Sequence, residues 1–479
     1  QCPQVTAGAI DLLKTWCEDP ARVREGMSLL KKLTLERPTI RNRTLETLLG
    51  FTHHEEAYIR DPAVRLTTQK LFQGKNSSDD MDVEIDGAEN DRAVVQSKCR
   101  QECSEKIRAY ASWSLGSLIG EEASAEFEAL PEDGPTEDIA KQRVELYLAL
   151  CTKDPSLLQR TLDVFVASNT PTKRVMNSLS ARMWATIGGD NEALQQLLWT
   201  FPVPDGFPYI QAMLRKLSQG VASPSLVNAV KKVYTERAEV QKDVRLLTPF
   251  LDAHSREEIV EMLPQLVQLL KRPLGPKQLP DALNGLFASS PCPLPPADLL
   301  IALHDLKDEP RQVAQAISVC LKDLGRIFNF TVLAKVLTKL VESTPLPQLF
   351  MFTFITAMRE CPKLAQQSGP AVQVLKRCID KKIWTTPLWK GFLRSIKDYS
   401  HLDPVVAILR SLPQKQLLRA LKDGGPEVHS AFTAHMGKFD HIPQRYLDAL
   451  EKTKPTVRYS LYLACTGTVF AIFVSACGL

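Results

Sequence analysis

The sequence has no Cys-x-x-Cys pair, no Gly-rich phosphate loop and no Gly-x-Ser-x-Gly elbow in its 479 residues. The first absence removes the common zinc and redox signatures, and the other two remove those of nucleotide binding and of serine hydrolases. Two-residue alternation of apolar and polar positions is almost missing too, which excludes a protein built on half-buried sheets. Neither sign of charge dominates. The 59 basic residues face 55 acidic ones for a formal net charge of +4, too small an excess to argue for nucleic acid. Eleven cysteines run from Cys2 to Cys477 without even spacing, the usage of reduced, mostly buried thiols rather than of a disulfide framework. No signal peptide is visible, and the chain, opening on Gln1, reads as a fragment or processed product. A charge-free stretch of bilayer-spanning length occurs only at Tyr459–Leu479, behind Lys452, Lys454 and Arg458. Thr466, Gly467, Thr468, Ser475 and Gly478 dilute it. A divergent terminus is therefore preferred over a membrane anchor, and a membrane is not an expected partner.

What is present is helical punctuation. Apolar residues recur with a period of about 3.6 almost everywhere. Asp19-Pro20, Asp61-Pro62, Asp154-Pro155 and Asp403-Pro404 each read as an N-cap acceptor before a first-turn proline. Ser223-Pro224, Asn169-Thr170-Pro171 and Pro295–Asp298 read similarly. These marks delimit about two dozen helices of about 10–17 residues joined by short turns. A start about every 20 residues makes a helix pair about every 40, the HEAT-type period, in which each pair buries its apolar face only against the next. The expected fold is all-α, a HEAT-like or armadillo-like α-solenoid of stacked antiparallel helix pairs. Arg60–Arg65 carries the Asp and Arg that hydrogen-bond across such repeats, or else a surface charge pair at a helix start. The densest apolar segment is Thr344–Leu364. Met351, Phe354, Ile355 and Met358 share one face there, and Leu349, Phe350 and Phe352 cover most of the others. With Pro345 and Pro347 read as its first turn, it is expected to be buried almost all round, yet too short to span a bilayer.

Gly74–Asp91 interrupts the pattern. Asp79, Asp80, Asp82, Glu84, Asp86, Glu89 and Asp91 leave little to bury, so a flexible acidic loop is expected. Ser77 and Ser78, before two aspartates, are candidate regulatory kinase targets, against the plainer reading of a solvated loop. Glu121–Pro135 is a weaker second loop. Candidate chemistry is sparse. His53-His54-Glu55-Glu56 lacks the i, i+4 spacing of a metal pair and reads as a polar helix end. Cys99 and Cys103 share a helix face without a third ligand nearby. His429, His435 and His441 are too widely spaced to converge, and Gly188-Gly189-Asp190 reads as a helix C-cap followed by an N-cap. No catalytic residue, metal or cofactor is expected. The best surface feature interleaves Lys376-Arg377, Lys381, Lys382, Trp384, Trp389, Lys390, Arg394 and Lys397. Such residues bind RNA by stacking and phosphate neutralisation, or the tryptophans are packing anchors beneath solvated lysines, or they anchor a protein interface. Lys381, Lys382, Trp384, Trp389, Lys390 and Arg394 are the candidate interface.

Several segments resemble one family. Thr344–Leu364 is similar to the "SPLP…LLMRTVIQ…YP.L" stretch of symplekins, and Pro295–His304 to their "LNPGELLIALH" block. Lys382-Ile383-Trp384, Pro387, Trp389 and Gly391-Phe392 follow the "KQVW…P..W.GF" pattern, and His441-Ile442-Pro443 the late "HIP". Asp243–Leu251 resembles "DVRFLIPVL", and Gly26–Pro38 resembles "GMTLLRELVLKRP". The likeness is collinear from about residue 20 to 454. It implies a nuclear, non-enzymatic scaffold of the mRNA cleavage and polyadenylation machinery. The partners implied are the nuclease subunit of the cleavage and polyadenylation specificity factor, its inactive homologue, and cleavage stimulation factor, with any RNA contact indirect. The organisation read from it is helical repeats over 1–73, the acidic loop 74–91, helical repeats over 92–242, a symplekin C-terminal-like domain over 243–454, and a divergent apolar tail over 455–479. Phe352 departs from the pattern, standing where relatives carry arginine. Lys271–Pro276 and the following Leu279–Leu286 also depart from it, and Tyr459–Leu479 has no counterpart. A different class of function, a HEAT-type adaptor tethered to a membrane by that tail, is the alternative.

Overall fold

Every regular element among the described residues of the computed structural model is helical, as the missing two-residue alternation requires. The structure describes residues 5–73, 87–121, 131, 134–220, 222–240, 243–273, 275–366 and 369–454, the side chains of 87–97 and 365 excepted. Ser77, Ser78, most of the expected acidic loop and the Tyr459–Leu479 tail lie outside these residues, as does most of Glu121–Pro135. The chain divides into two units, Gln1–Ala253 and His254–Leu479.

In the first unit most helices pack against the one two places along. Val23–Glu36, Ala57–Leu66, Glu137–Cys151, Thr170–Ile187 and Phe207–Leu217 form one such succession, and Leu158–Ala167, Glu192–Thr200 and Pro224–Glu236 another. The caps follow the sequence. Asn169 accepts from Thr172 N–H, Ser223 from Leu226 N–H and Asp154 from Ser156 N–H, each satisfying a first-turn donor that otherwise has no intrahelical partner. The core between the rows is aromatic. Tyr209 lies 4.7 Å from Phe165 and 5.4 Å from Trp184, ring centre to ring centre, and its hydroxyl is met by Ser180 at 3.0 Å and Thr161 at 3.2 Å. That pairing lets a phenol stay fully buried.

The second unit repeats the arrangement. Arg256–Gln268, Pro296–Asp305, Phe330–Glu342 and Gly369–Asp380 follow one another in one row. Gly275–Ala288, Pro310–Lys322, Phe350–Glu360, Trp389–Asp398 and Gly425–Met436 make the other. Ser255 and Glu258 form a reciprocal capping box at the first of these helices. Among the described residues eight cysteines are unpaired and six of them are buried. Cys99 and Cys103 are both in the core, and Cys99 Sγ faces the Thr34 and Leu35 carbonyls, each at 3.9 Å. Burial pushes the Cys103 thiol up to about 11, the behaviour of a packing residue rather than of a metal ligand.

Some starts differ from the expectation. Pro62 is not a first-turn proline, because its helix opens at Ala57 and Asp61 is exposed within it. The buried Arg60 anchors that helix one turn earlier than the Asp-Pro signal. Asp403 does not cap its helix either. It is the helix's first residue, and its carboxylate accepts from His435 Nδ1 at 2.9 Å and Lys438 Nζ at 2.7 Å. Val244–Leu246 and Thr248–Ala253 are only short 3-10 segments, the second broken at Phe250 behind Pro249. The helix that follows the expected acidic loop 74–91 begins within it, at Gly87.

The candidate interface around Trp389

The helix Phe350–Glu360 is the floor of this region. Phe350, Met351, Phe354, Ala357 and Met358 are all buried on it, as the apolar pattern requires. Two details depart from that expectation. Pro345 and Pro347 precede the helix instead of opening it, with Phe350 N–H turning back to Pro347 O at 3.0 Å. Phe352 is 37% exposed, so one side of the helix reaches solvent. Thr353, on the buried side, has a partner. The Thr353 hydroxyl donates to His304 Nε2 at 2.9 Å, while His304 Nδ1 donates to Leu300 O at 2.7 Å. A carbonyl only accepts, so the Nδ1–H tautomer follows. Burial holds this imidazole below its ordinary titration range.

Trp389–Asp398 lies directly on that floor, and Gly391 sets the spacing. A Cβ at residue 391 would stand 2.7 Å from Met351 Cβ and 3.2 Å from its Cγ. The family-like Gly391-Phe392 pair thus has a packing reason: only a missing side chain lets the two helices come this close. Gly391→Ala is expected to destabilise the second unit by about 1–2 kcal/mol, the overpacking cost exceeding the gain in helix propensity. Urea unfolding measures it. Met351→Gly in the same chain should recover the Gly391→Ala loss beyond its own cost, whereas Met351→Ala, which keeps the offending Cβ, should not.

The six candidate residues divide by role. Trp389 is buried, 3% exposed, and stacked on Phe392 with centroids 5.3 Å apart and planes at 13°. It therefore supports a surface from beneath. Its indole N–H is nevertheless buried without a hydrogen-bond partner among the described residues, a state that costs about 1–3 kcal/mol. Trp384 is half-buried on the 3-10 turn Ile383–Thr385. Lys381 is a tether. Its ammonium donates to Glu342 O at 2.9 Å, Ser343 O at 2.7 Å and Thr344 Oγ1 at 3.1 Å, closing the end of Phe330–Glu342 where carbonyls lack intrahelical donors. Lys381→Met should lower stability by about 1 kcal/mol and speed amide exchange in residues 339–344. Unchanged exchange there would show that water replaces the ammonium without loss. Lys382 is exposed and takes a left-handed backbone, φ +55°, after Gly369–Asp380 ends. Lys390 is exposed and has no acidic partner among the described residues, whereas Arg394 faces Asp398 at 3.5 Å.

Lys390 and Arg394 edge a cavity of about 360 Å³ whose wall also includes Trp389, Leu393, Lys397, Arg419, Asp423 and Gly424. Sequence reasoning had Lys397 in the same basic surface feature, though not among the six interface candidates, and missed Arg419. Arg419 comes from the helix Gln414–Asp423, and nothing local in the sequence links it to Trp389. No grouping of three or more metal-capable side chains occurs among the described residues. No helix among them is long and apolar enough to cross a membrane.

Compared with known families, residues 243–423 match the one described as "Symplekin tight junction protein C terminal". The match begins at the Asp243 turn, includes Phe350–Glu360 and Trp389–Asp398, and ends with Gln414–Asp423, short of Gly425–Met436, which also packs on Trp389–Asp398. Over this span the chain carries a domain of the symplekin C-terminal family.

Proposed function

We propose that this protein is a non-enzymatic scaffold of the pre-mRNA 3′-end cleavage and polyadenylation machinery. It would act in the nucleus as a HEAT-like solenoid, with 243–454 as its partner-bearing domain. The observation that carries the reading is the symplekin C-terminal match over 243–423. It is supported by two rows of helices that pack in succession, an arrangement that presents long faces built from many elements. Nothing in the geometry shows catalytic activity. The partners proposed are the nuclease subunit of the cleavage and polyadenylation specificity factor, its inactive homologue and cleavage stimulation factor. Holding several subunits on one chain raises their effective concentration for one another, which accelerates assembly without new chemistry.

The test is affinity purification of the tagged chain from nuclear extract, beside a Lys382→Glu/Lys390→Glu variant. Recovery of the nuclease subunit is expected, weaker and less salt-dependent in the variant, because rim charges act on association more than on packing. Recovery of no cleavage-factor subunit by the unmodified chain would sink the proposal.

A further inference from the structure

We propose that a cavity across three successive helices of the first unit binds an acidic segment of a protein partner, one with aliphatic side chains between its carboxylates. The cavity lies outside residues 243–423, so it is an interaction surface beyond the scaffold reading and does not rest on it. Its volume is about 640 Å³. Ala57–Leu66, Glu137–Cys151 and Thr170–Ile187 build it, packed side by side in one row. Packed helices lie about 8–10 Å apart, so the three span roughly 16–20 Å, room for several residues of a bound chain. The wall is apolar at Val64, Leu148, Ala149 and Leu179, and the last two are partly open to solvent. Three exposed cations stand around them: Arg65, Arg182, and Lys153 just past Cys151. None of the three has a carboxylate partner among the described residues, although each comes from a different helix or its end. Of the two lining acids, Glu145 is already engaged by Arg60 at 2.7 Å, so Asp61 alone opposes the three. Two positive charges are left over at one concave, partly apolar place. Incoming carboxylates compensate them, accepting paired hydrogen bonds from the guanidinium groups of Arg65 and Arg182, while aliphatic side chains displace water from the apolar wall.

The same wall disfavours RNA. It contains no aromatic side chain on which a base could stack, and Asp61 would repel a phosphate. An excess of two charges is also too little to track a polyanion.

The experiment measures fluorescence anisotropy with the full purified chain and a fluorescein-labelled peptide of Glu-Glu-Leu-Leu repeats. A Lys-for-Glu peptide, a Ser-for-Leu peptide and an oligouridylate are the comparisons. The Glu peptide is expected to bind, the Ser-for-Leu peptide about tenfold more weakly, and the Lys-for-Glu peptide not at all. Arg65→Glu/Arg182→Glu, at two exposed positions, should weaken the Glu peptide at least about tenfold and bind the Lys-for-Glu peptide instead. That exchange of preference also shows that the variant is folded. Lys277→Glu/Lys335→Glu makes the same change of net charge at exposed positions of the second unit, and should leave the affinity within about twofold. Absence of binding by the Glu peptide, or equal losses in the two double variants, would overturn the proposal. So would tighter binding of oligouridylate that the Arg65→Glu/Arg182→Glu change abolishes. Peptide binding that appears only after residues 77–86 are deleted would overturn it as well, by making the chain's own carboxylates the occupant.

Discussion

Glu145→Gln should cost the first unit about 3 kcal/mol, although it removes no volume and leaves every apolar contact in place. Arg60 is 3% exposed. Its Nε donates to Glu145 Oε2 at 2.7 Å, and its Nη1 donates to His54 O at 2.8 Å and Glu55 O at 2.9 Å. These bonds tie the helix Ala57–Leu66 to Glu137–Cys151, its neighbour in the row. A neutral amide at 145 still accepts a hydrogen bond but leaves the guanidinium charge uncompensated. Breaking such a buried pair from one side costs about 3–5 kcal/mol, and the two surviving carbonyl acceptors place this case at the low end. Hydrogen exchange reads the effect locally: amides in 57–66 and 137–151 should exchange roughly a hundredfold faster, with those of 350–360 unchanged. Arg60→Met/Glu145→Leu, which removes both charges together, should stay within about 1 kcal/mol of the natural chain. Equal losses in the single and double variants would mean that volume, not charge, sets the cost.

That ion pair marks the limit of what the sequence discloses. Its helices are legible because burial on one face imposes a period of about 3.6, and the Asn169, Ser223 and Asp154 caps are legible because a cap acts within three residues. The Asp-Pro signal failed at Asp61 and Asp403 for a shared reason. A long-range partner, Glu145 for Arg60 in one case and His435 for Asp403 in the other, outweighed the local preference. The Trp389 region divides along the same line. Apolar spacing predicts the buried floor, but not that Gly391 sits against Met351, that Lys381 closes another helix's end, or that Arg419 comes to the cavity. Each of those is a contact between residues tens of positions apart, with no periodic trace. The symplekin resemblance supplied what periodicity lacked there, since it marked Gly391-Phe392 before any packing reason was visible.

Acidification should weaken the first unit between pH 6.5 and about 4, and His53 should be a principal cause. The sequence offered His53 only as part of a polar helix end. In the structure it follows the helix Arg41–Phe51 and inserts between Tyr110 and Ser114 of Gly87–Gly116. Ser114 donates its proton to Arg143 O at 3.0 Å, so its oxygen accepts from His53 Nε2 at 2.5 Å. Thr52 donates to Leu49 O at 2.6 Å, and the Tyr110 hydroxyl stands 3.3 Å from His53 Nδ1. Both ring nitrogens thus have polar neighbours in the folded chain. Burial lowers its pKa to about 4, opposed in part by a hydrogen bond with the Leu49 backbone and reinforced more weakly by the charges of Arg143 and Arg60. The sign follows directly. Above pH 6.5 the ring is neutral folded or unfolded and costs nothing; as pH falls, the unfolded chain takes up the proton first, and stability declines until the folded-state value is reached. Over that window the loss amounts to about 3 kcal/mol. His53→Gln should flatten the pH dependence of the urea midpoint by that amount, and the His53 ring proton should show no NMR titration near pH 6.5. This prediction is coupled to the first, because Arg60 faces both groups. With Glu145→Gln the guanidinium loses its counter-charge, so His53 should become harder still to protonate and its titration should move lower. Effects of the two substitutions will then fail to add. A rise in the His53 pKa in that variant would show that Arg60 turns away from the cluster once its carboxylate is gone.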